Sequence, residues 1–199
     1  ADLSEPPLPF PMRILEQATR QMGREMADGT DENMLVRPYD ERAMRVAISE
    51  GEKQPRFPFG CLIVDETSDR EMVELMRGHN NEPPYIGPIY HGETTTIAKL
   101  LRKTNGKVSG RFVTLYTTGE PCAMCASAIE WTGNIHRICY GTSIEKLTQY
   151  GYNQIQISTS TVIRESFRKP PTLVRGAVLE DECNALFERA QRIAASQGG

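Results

Sequence analysis

Short apolar runs alternate with amphipathic segments through most of this chain. The apolar runs predict four strands, at residues 59–64, 72–77, 112–117 and 135–141. Segments with apolar residues at helical spacing predict four helices, one capped by Asp40 and three at residues 92–102, 121–131 and 143–149. Strands that alternate with helices in this order indicate an α/β fold, with a parallel-rich sheet between layers of helix.

The two ends of the chain show weaker patterns. Residues 5–11 are rich in proline and predict an extended arm, and apolar residues at helical spacing over 15–26 predict a helix after it. Near the other end, a strand is predicted around Ile155 and Ile157, followed by a helix over 180–197 that packs on the outside of the core or on a partner. These patterns divide the chain into an N-terminal arm and helix at 1–39, a core at 40–160 and a C-terminal extension at 161–199.

Length and charge narrow the class of protein. A chain of 199 residues suits one domain with a sizeable core plus appendages, and no apolar run approaches the roughly 20 residues that cross a bilayer. The net charge of -3 and the pI near 5.7 give no overall attraction to nucleic acid. We therefore expect neither a membrane nor nucleic acid as the partner. Two groups of basic residues are interpreted as solvated surface: Lys99, Arg102, Lys103, Lys107 and Arg111, and Arg164, Arg168, Lys169 and Arg175.

Two short motifs carry the candidate chemistry, and each is expected to open a helix. In the Pro-Cys-x-x-Cys motif, Cys122 and Cys125 are three positions apart, so on a helix they share a face and can hold one ion. Pro121 suits the first helical position, which makes Glu120 the cap-like residue and places both sulfurs in the first turn. There the positive end of the helix dipole lowers the cost of ionising the thiols.

The other motif is His-x-Glu, at His91 and Glu93. Residues two apart do not face each other on a helix, so the two side chains converge only if His91 lies at the turn before the helix. With the two cysteines, His91 completes three zinc ligands, which leave the fourth tetrahedral position open for a water that the metal makes acidic. Glu93 is then free to move protons. A structural zinc site or plain core thiols are the alternatives, but a structural site needs a fourth protein ligand, and none is suitably spaced.

Three further cysteines, Cys61, Cys139 and Cys183, are scattered through predicted strands and a helix. An odd number of remaining cysteines, spread along the chain, indicates buried thiols rather than a disulfide framework. It favours a reducing compartment, and the cytoplasm is the expected location.

His-x-Glu followed by Pro-Cys-x-x-Cys resembles the signature of zinc nucleobase deaminases, and the chain is identified as a member of the cytidine deaminase-like superfamily. Three further segments resemble the family's strands, at 58–64, 78–80 and 114–118. The resemblance implies a three-layer α/β/α sandwich around a mixed, mostly parallel five-stranded sheet. The predicted helix at 143–149 implies that strands four and five run parallel, as in the branch with tRNA-adenosine, guanine and fungal cytosine deaminases. Homodimers are usual in that branch, so a homodimer is expected.

The resemblance also implies a reaction. Zn²⁺ held by His91, Cys122 and Cys125 activates a water, and Glu93 moves protons from it to a ring nitrogen and to the departing amine. The products are a carbonyl and ammonia.

Five residues are implied as substrate-binding: Phe59, Asn80, Glu120, Trp131 and Asn153. Asn80 could instead close a turn, and Phe59 and Trp131 could be ordinary core aromatics. Residues 150–154 resemble a segment of guanine deaminases in which acidic residues follow an aromatic one, and this chain has Asn153 and Gln154 at those positions. A carboxylate only accepts hydrogen bonds, so it suits the donor edge of guanine. An amide offers both a donor and an acceptor, and it therefore suits a different edge of a base.

Three functions are weighed on this basis. The leading one is hydrolytic deamination of a free nucleobase, nucleoside or related heterocycle, with a purine-type, guanine-like ring slightly favoured. The second is editing of a base in tRNA or single-stranded DNA, which needs a basic, aromatic-lined groove. The third is a non-catalytic zinc-binding scaffold, which has no need of the Glu93 carboxylate.

Overall fold

The computed structural model describes residues 36–66, 71–110 and 112–197 of the chain. The proline-rich arm and the first helix predicted within residues 5–26 lie outside this part. In chain order the described elements are α1 (Asp40–Gly51), β1 (Gly60–Glu66), β2 (Met72–His79), α2 (Gly92–Lys103), β3 (Val113–Gly119), α3 (Ala123–Trp131), β4 (Arg137–Thr142), α4 (Ile144–Gln149), α5 (Thr159–Arg164), β5 (Leu173–Arg175) and α6 (Glu180–Gln197).

The five strands form one mixed sheet in the order β2-β1-β3-β4-β5. β1 pairs antiparallel with both β2 and β3, whereas β3, β4 and β5 pair parallel. Four strands therefore run in one direction and β1 runs against them. The predicted mixed, mostly parallel sheet is confirmed in this sense.

The fifth strand is not the one predicted around Ile155 and Ile157. Those side chains are 60% and 42% exposed, whereas Leu173 at the start of β5 is buried. Two exposed isoleucines add nothing to the core, while Leu173 extends it at the edge of the sheet. The expectation that strands four and five run parallel is confirmed, with both α4 and α5 in the connection.

Each face of the sheet carries its own apolar cluster, because successive strand residues point to opposite faces. The cluster on the face covered by α2 and α3 includes Ile63, Leu115, Ile97 and Ile129. The cluster on the face covered by α1 and α6 includes Leu62, Tyr116, Met44 and Cys183. The sheet thus lies between two helix layers, and the predicted three-layer sandwich is confirmed.

The last helix, α6, packs on its own chain. It buries Cys183, Leu186, Phe187 and Ala190 on one face, so the predicted outer helix is an integral layer over the sheet. No helix within the described ranges combines the length and apolarity that crossing a membrane requires.

A cluster of buried charges joins α1 to the sheet. Arg137, at the start of β4, is 1% exposed, and its guanidinium lies 2.6 Å from Asp40 Oδ2 and 3.0 Å from Glu66 Oε1. The Tyr116 hydroxyl donates to Asp40 Oδ1 at 2.7 Å, and the Thr114 hydroxyl donates to Glu66 Oε1 at 2.6 Å. Charges are costly to remove from water, so this arrangement is stable only while each charge keeps its partners.

Asp40 belongs to this cluster and is not the helix cap that the sequence predicted. The N-cap of α1 is Tyr39, and Asp40 is the first helical residue. Its carboxylate also lies 2.8 Å from the Arg175 guanidinium. The side-chain partners of Asp40 named here come from β3, β4 and β5, far along the chain, so a local pattern could not reveal them.

Replacing Arg137 with Met should lower the free energy of unfolding by about 3–5 kcal/mol, because buried carboxylates lose a partner while the apolar volume is kept. Urea denaturation followed by circular dichroism measures the change. Arg45→Met is the matched control, since Arg45 forms only exposed ion pairs with Glu41 and Glu182, which water already screens. Equal unfolding midpoints for the wild-type protein and Arg137→Met would contradict this account.

Candidate active site

Two helices begin beside one another at one end of the sheet. His91 is the N-cap of α2 with an extended backbone (φ -69°, ψ 171°), and Cys122 is the N-cap of α3 with nearly the same backbone (φ -64°, ψ 168°). The expectation that His91 lies at the turn before its helix is confirmed. The expectation that Pro121 opens α3 is wrong, because the helix begins two residues later, at Ala123, which makes Cys125 the third helical residue.

The three predicted ligands converge at these helix starts. Nδ1 of His91 lies 3.7 Å from Sγ of Cys122 and 3.6 Å from Sγ of Cys125. All three ligand atoms lie within 4.8 Å of one another, and no second such group of His, Cys, Asp or Glu side chains occurs in the part of the chain that the structure covers. One imidazole nitrogen and two sulfurs without a fourth protein ligand form the donor set of a catalytic zinc site.

The two cysteines of this group differ in protonation, because the hydrogen bond with Cys122, followed by burial, raises the pKa of Cys125 well above its usual value. Hydrogen bonding from Cys125, supported by His91, lowers the pKa of Cys122 to about 4. The hydrogen bond with Cys122 also raises the pKa of His91 above its usual value. A bound metal ion takes the place of the protons in these hydrogen bonds. Because its pKa is lowered, the Cys122 thiol is ionised at neutral pH, which is the thiolate form that zinc requires.

Glu93 lies in the first turn of α2 and is 2% exposed. Its Oε1 accepts a hydrogen bond from the Thr117 hydroxyl at 3.2 Å, whereas Oε2 is buried without a hydrogen-bond partner in the described structure. Burial, followed by the nearby charge of Cys122, raises the pKa of Glu93. A carboxyl group whose pKa moves toward neutrality can both accept and donate a proton, which is the requirement for general acid–base work.

Packing requires the glycine of the His-x-Glu motif. A Cβ at Gly92 would lie 2.3 Å from the carbonyl oxygen of Phe59. That carbonyl also accepts the backbone N–H of Asn80 at 3.0 Å, and the Phe59 ring stacks on His91 with centroids 6.3 Å apart and planes 18° apart. Because residue 92 has no side chain, the first turn of α2 can pack closely against the start of β1 and the end of β2.

A cavity of about 510 Å³ opens beside His91. Three of the predicted substrate-binding residues, Phe59, Asn80 and Asn153, line it together. Further lining residues include Phe57, Ile86, Pro88, Tyr152 and Gln154. Among the described residues that line the cavity there is no lysine, arginine, aspartate or glutamate.

Two aromatic residues that the sequence did not single out as site residues pack against Phe59: Tyr152, which lines the cavity, and Phe187, which is fully buried and does not line it. The ring centroids of Tyr152 and Phe187 lie 5.3 Å and 5.0 Å from that of Phe59, and 5.5 Å from each other. The Tyr152 hydroxyl donates to the carbonyl oxygen of Arg56 at 3.0 Å. The sequence did offer one signal for Phe187, because a large aromatic residue on an otherwise polar helix indicates a buried contact.

Comparison with known proteins identifies the family. Residues 37–142, more than half of the chain, match the family described as "Cytidine and deoxycytidylate deaminase zinc-binding region". The chain belongs to this deaminase family. The matched region contains all three converging ligands, so zinc is the metal that this site is built to hold.

The relatives of this deaminase act on different bases. It is 37% identical over 114 residues to a probable cytosine deaminase of Schizosaccharomyces pombe, an alignment that covers 56% of this chain and 64% of that protein, just under two thirds of its length. It is 34% identical over 136 residues to a tRNA-specific adenosine deaminase of Rickettsia felis, with 68% and 88% covered. A solved guanine deaminase from Nitrosomonas europaea has a similar fold, with a TM-score of 0.59 at 15% identity over 96% of this chain and 98% of the other.

Glu120 was predicted to bind substrate, and the structure places it elsewhere. It is 6% exposed, and its two carboxylate oxygens accept the backbone N–H groups of Ile144 and Thr159, each at 2.9 Å. These groups lie at the starts of α4 and α5, where helices offer unpaired donors and positive potential. Glu120 therefore ties two helices to the end of β3 and does not line the cavity.

Trp131 is also not brought to the cavity. It is the last residue of α3, about 13 Å along the helix from Cys122 at 1.5 Å per residue. Its side chain is 76% exposed and packs on Phe167, with ring centroids 5.1 Å apart. The predicted role of Trp131 in base stacking is thus not supported by its position in this chain.

The zinc content of cysteine variants tests this metal centre. We expect one zinc per chain in the wild-type protein, and a large loss in Cys122→Ser and Cys125→Ser because a serine hydroxyl does not supply an anionic sulfur. Metal analysis of the purified proteins by mass spectrometry gives the stoichiometry. Cys183→Ala is the control, since this buried cysteine lies on the opposite face of the sheet and its loss should leave the zinc in place. Full zinc content in both serine variants would refute the assignment.

Proposed function

We propose that this deaminase acts on a free nucleobase, nucleoside or related neutral heterocycle. The observation that carries the proposal is the uncharged lining of the cavity beside His91, whose described residues include no lysine or arginine to hold a phosphate. Nucleotides and nucleic acids carry such phosphates, whereas free bases and nucleosides do not. A cavity of about 510 Å³ has room for a bicyclic ring, which agrees with a purine-type, guanine-like substrate as the slightly favoured choice.

The cavity offers one flat apolar surface and several amides for recognition. A planar ring fits against Phe59, whose edge-on contacts with Tyr152 keep its orientation. Asn80, Asn153 and Gln154 each supply a donor and an acceptor to the polar edges of the ring. No described residue hydrogen-bonds the Asn80 side chain, so its amide is available to a ligand.

The reaction exchanges an exocyclic amine for the oxygen of water. When bound, zinc supplies a Lewis acid that lowers the pKa of a water at its open position. Glu93 would take a proton from the attacking water and pass it to the ring nitrogen next to the attacked carbon. It would then move the proton of the newly added hydroxyl to the exocyclic amine, so that the C–N bond breaks, ammonia leaves and the carbonyl forms. Oε2 of Glu93, which is buried and has no hydrogen-bond partner within residues 36–66, 71–110 and 112–197, is the oxygen available for these transfers.

Action on a base within tRNA is the second candidate function. It is favoured by the relative named as a tRNA-specific adenosine deaminase, 88% of which aligns with this chain. Against it, several of the basic residues near the core are already paired with carboxylates. These pairs are Lys99 with Glu82, Arg168 with Glu130 and Arg175 with Asp40. The homodimer and the cytoplasmic location stay predictions.

A substrate panel tests the proposed function. Free bases, nucleosides, pterins and triazines are incubated with the zinc-loaded protein, and ammonia release is measured by a coupled assay. We expect turnover of at least one uncharged heterocycle and loss of roughly 10²–10⁴-fold in kcat for Glu93→Gln, which removes proton transfer while keeping the shape of the side chain. Glu93→Gln should keep its zinc. Ammonia release by Glu93→Gln at the wild-type rate would overturn the assignment of Glu93.

A second measurement separates the two candidate functions. If the substrate is a neutral small molecule, the affinity of the protein for tRNA should be weak, and kcat/KM for the active heterocycle should barely change between low and moderate salt. A tRNA substrate predicts binding that falls steeply with salt, because phosphate contacts release counterions. Fluorescence anisotropy with labelled tRNA, at several salt concentrations, distinguishes the two.

A further inference from the structure

The two oxygens of the Glu93 carboxylate have different surroundings. Oε1 accepts the hydrogen bond from the Thr117 hydroxyl, while Oε2 accepts none from an N–H or O–H group of the described residues, and the Cys125 thiol lies close to the carboxylate. The whole side chain is 2% exposed, so bulk water does not reach it freely. One oxygen is therefore held by the protein and the other is open to a proton.

Thr117 is a rigid point from which to hold a carboxylate. It is fully buried in β3, where its register neighbours are Cys61 on β1 and Tyr140 on β4. Its β-branched side chain has few rotamers. The terminal torsion of a glutamate, by contrast, is broad, so a carboxylate without such a hydrogen bond samples many orientations.

We propose that Thr117 is a positioning residue for Glu93, whose hydroxyl holds Oε1 and so presents Oε2 to the attacking water and the substrate ring. The inference rests on the proposed function, in which Glu93 transfers the protons. Proton transfer needs donor and acceptor within hydrogen-bond reach, and a misplacement of roughly 1 Å can cost on the order of a hundredfold in rate.

Two other threonines of β3 have buried hydroxyls with different partners. Thr118 donates to the carbonyl oxygen of Pro58 at 2.8 Å, and Thr114 donates to Glu66 in the buried charge cluster. Thr114 and Thr117 thus lie on the same strand, are both fully buried and both donate to a glutamate. Thr114 is outside the active site, so it is the matched control for the structural cost of losing such a bond.

Steady-state kinetics of zinc-loaded variants tests the role of Thr117. We expect Thr117→Val to lower kcat roughly tenfold to a hundredfold, since a hydrogen bond to a charged group is lost, with KM and zinc content unchanged. Thr117→Ser keeps the hydroxyl and should restore kcat to near the wild-type value. Thr114→Val should lower stability and leave kcat unchanged. A Thr117→Val enzyme with wild-type kcat, or a serine variant as slow as the valine variant, would contradict the proposal.

A double mutant locates the effect at Glu93. If Thr117 acts through this carboxylate, adding Thr117→Val to Glu93→Gln should cause no further loss of kcat. Independent, multiplying losses would show that Thr117 acts elsewhere and would overturn the proposal.

A spectroscopic measurement makes the test independent of turnover. The infrared difference between the wild-type protein and Glu93→Gln isolates the carboxyl band of Glu93. That band should be displaced in Thr117→Val and remain in place in Thr114→Val. Absence of ammonia release from every heterocycle would sink the proposed function alone, whereas an undisplaced band in Thr117→Val would sink the positioning role whatever the substrate.

Discussion

The active site depends on two helix starts placed side by side on one face of the sheet. α2 and α3 share the apolar cluster that contains Ile97 and Ile129, and this packing fixes the distance between their N-caps. Because His91 and Cys122 both have extended N-cap backbones, their side chains meet ahead of the helices. The same geometry leaves Glu93 in the first turn of α2, buried and close enough to Cys122, His91 and Cys125 to interact with them, but outside the ligand group itself.

Near its two ends, β3 contacts two buried glutamates with different surroundings. At its beginning, Thr114 belongs to a cluster in which Asp40, Glu66 and Arg137 satisfy one another. Near its end, the Thr117 hydroxyl donates to Glu93, whose other carboxylate oxygen is buried without a hydrogen-bond partner in the described part of the chain. An unpartnered buried oxygen costs stability, and the structure tolerates it where chemistry uses it. The two apolar clusters of the sheet supply the stabilisation that offsets this cost.

The sequence predicted the chemistry of the site better than its surroundings. Ligand spacing required His91 to precede its helix, and the structure confirms it. The sequence could not show that the Glu120 carboxylate accepts hydrogen bonds from the starts of α4 and α5, because those contacts join distant parts of the chain. For the same reason, periodicity predicted a strand around Ile155 and Ile157 and gave no sign of the strand at Leu173, whose pairing depends on β4. Trp131 matched a motif position, yet the helix carries it away from the cavity.

Within the described residues, His91, Cys122 and Cys125 are the one group placed to hold the metal of this deaminase, and we expect no fourth protein ligand. X-ray absorption at the zinc K-edge of the purified protein measures the ligand set directly. The account predicts two sulfur ligands, one imidazole nitrogen and one exchangeable light atom, unchanged in Glu93→Gln. Three or four sulfur ligands, a second imidazole, or an altered ligand set in Glu93→Gln would contradict it.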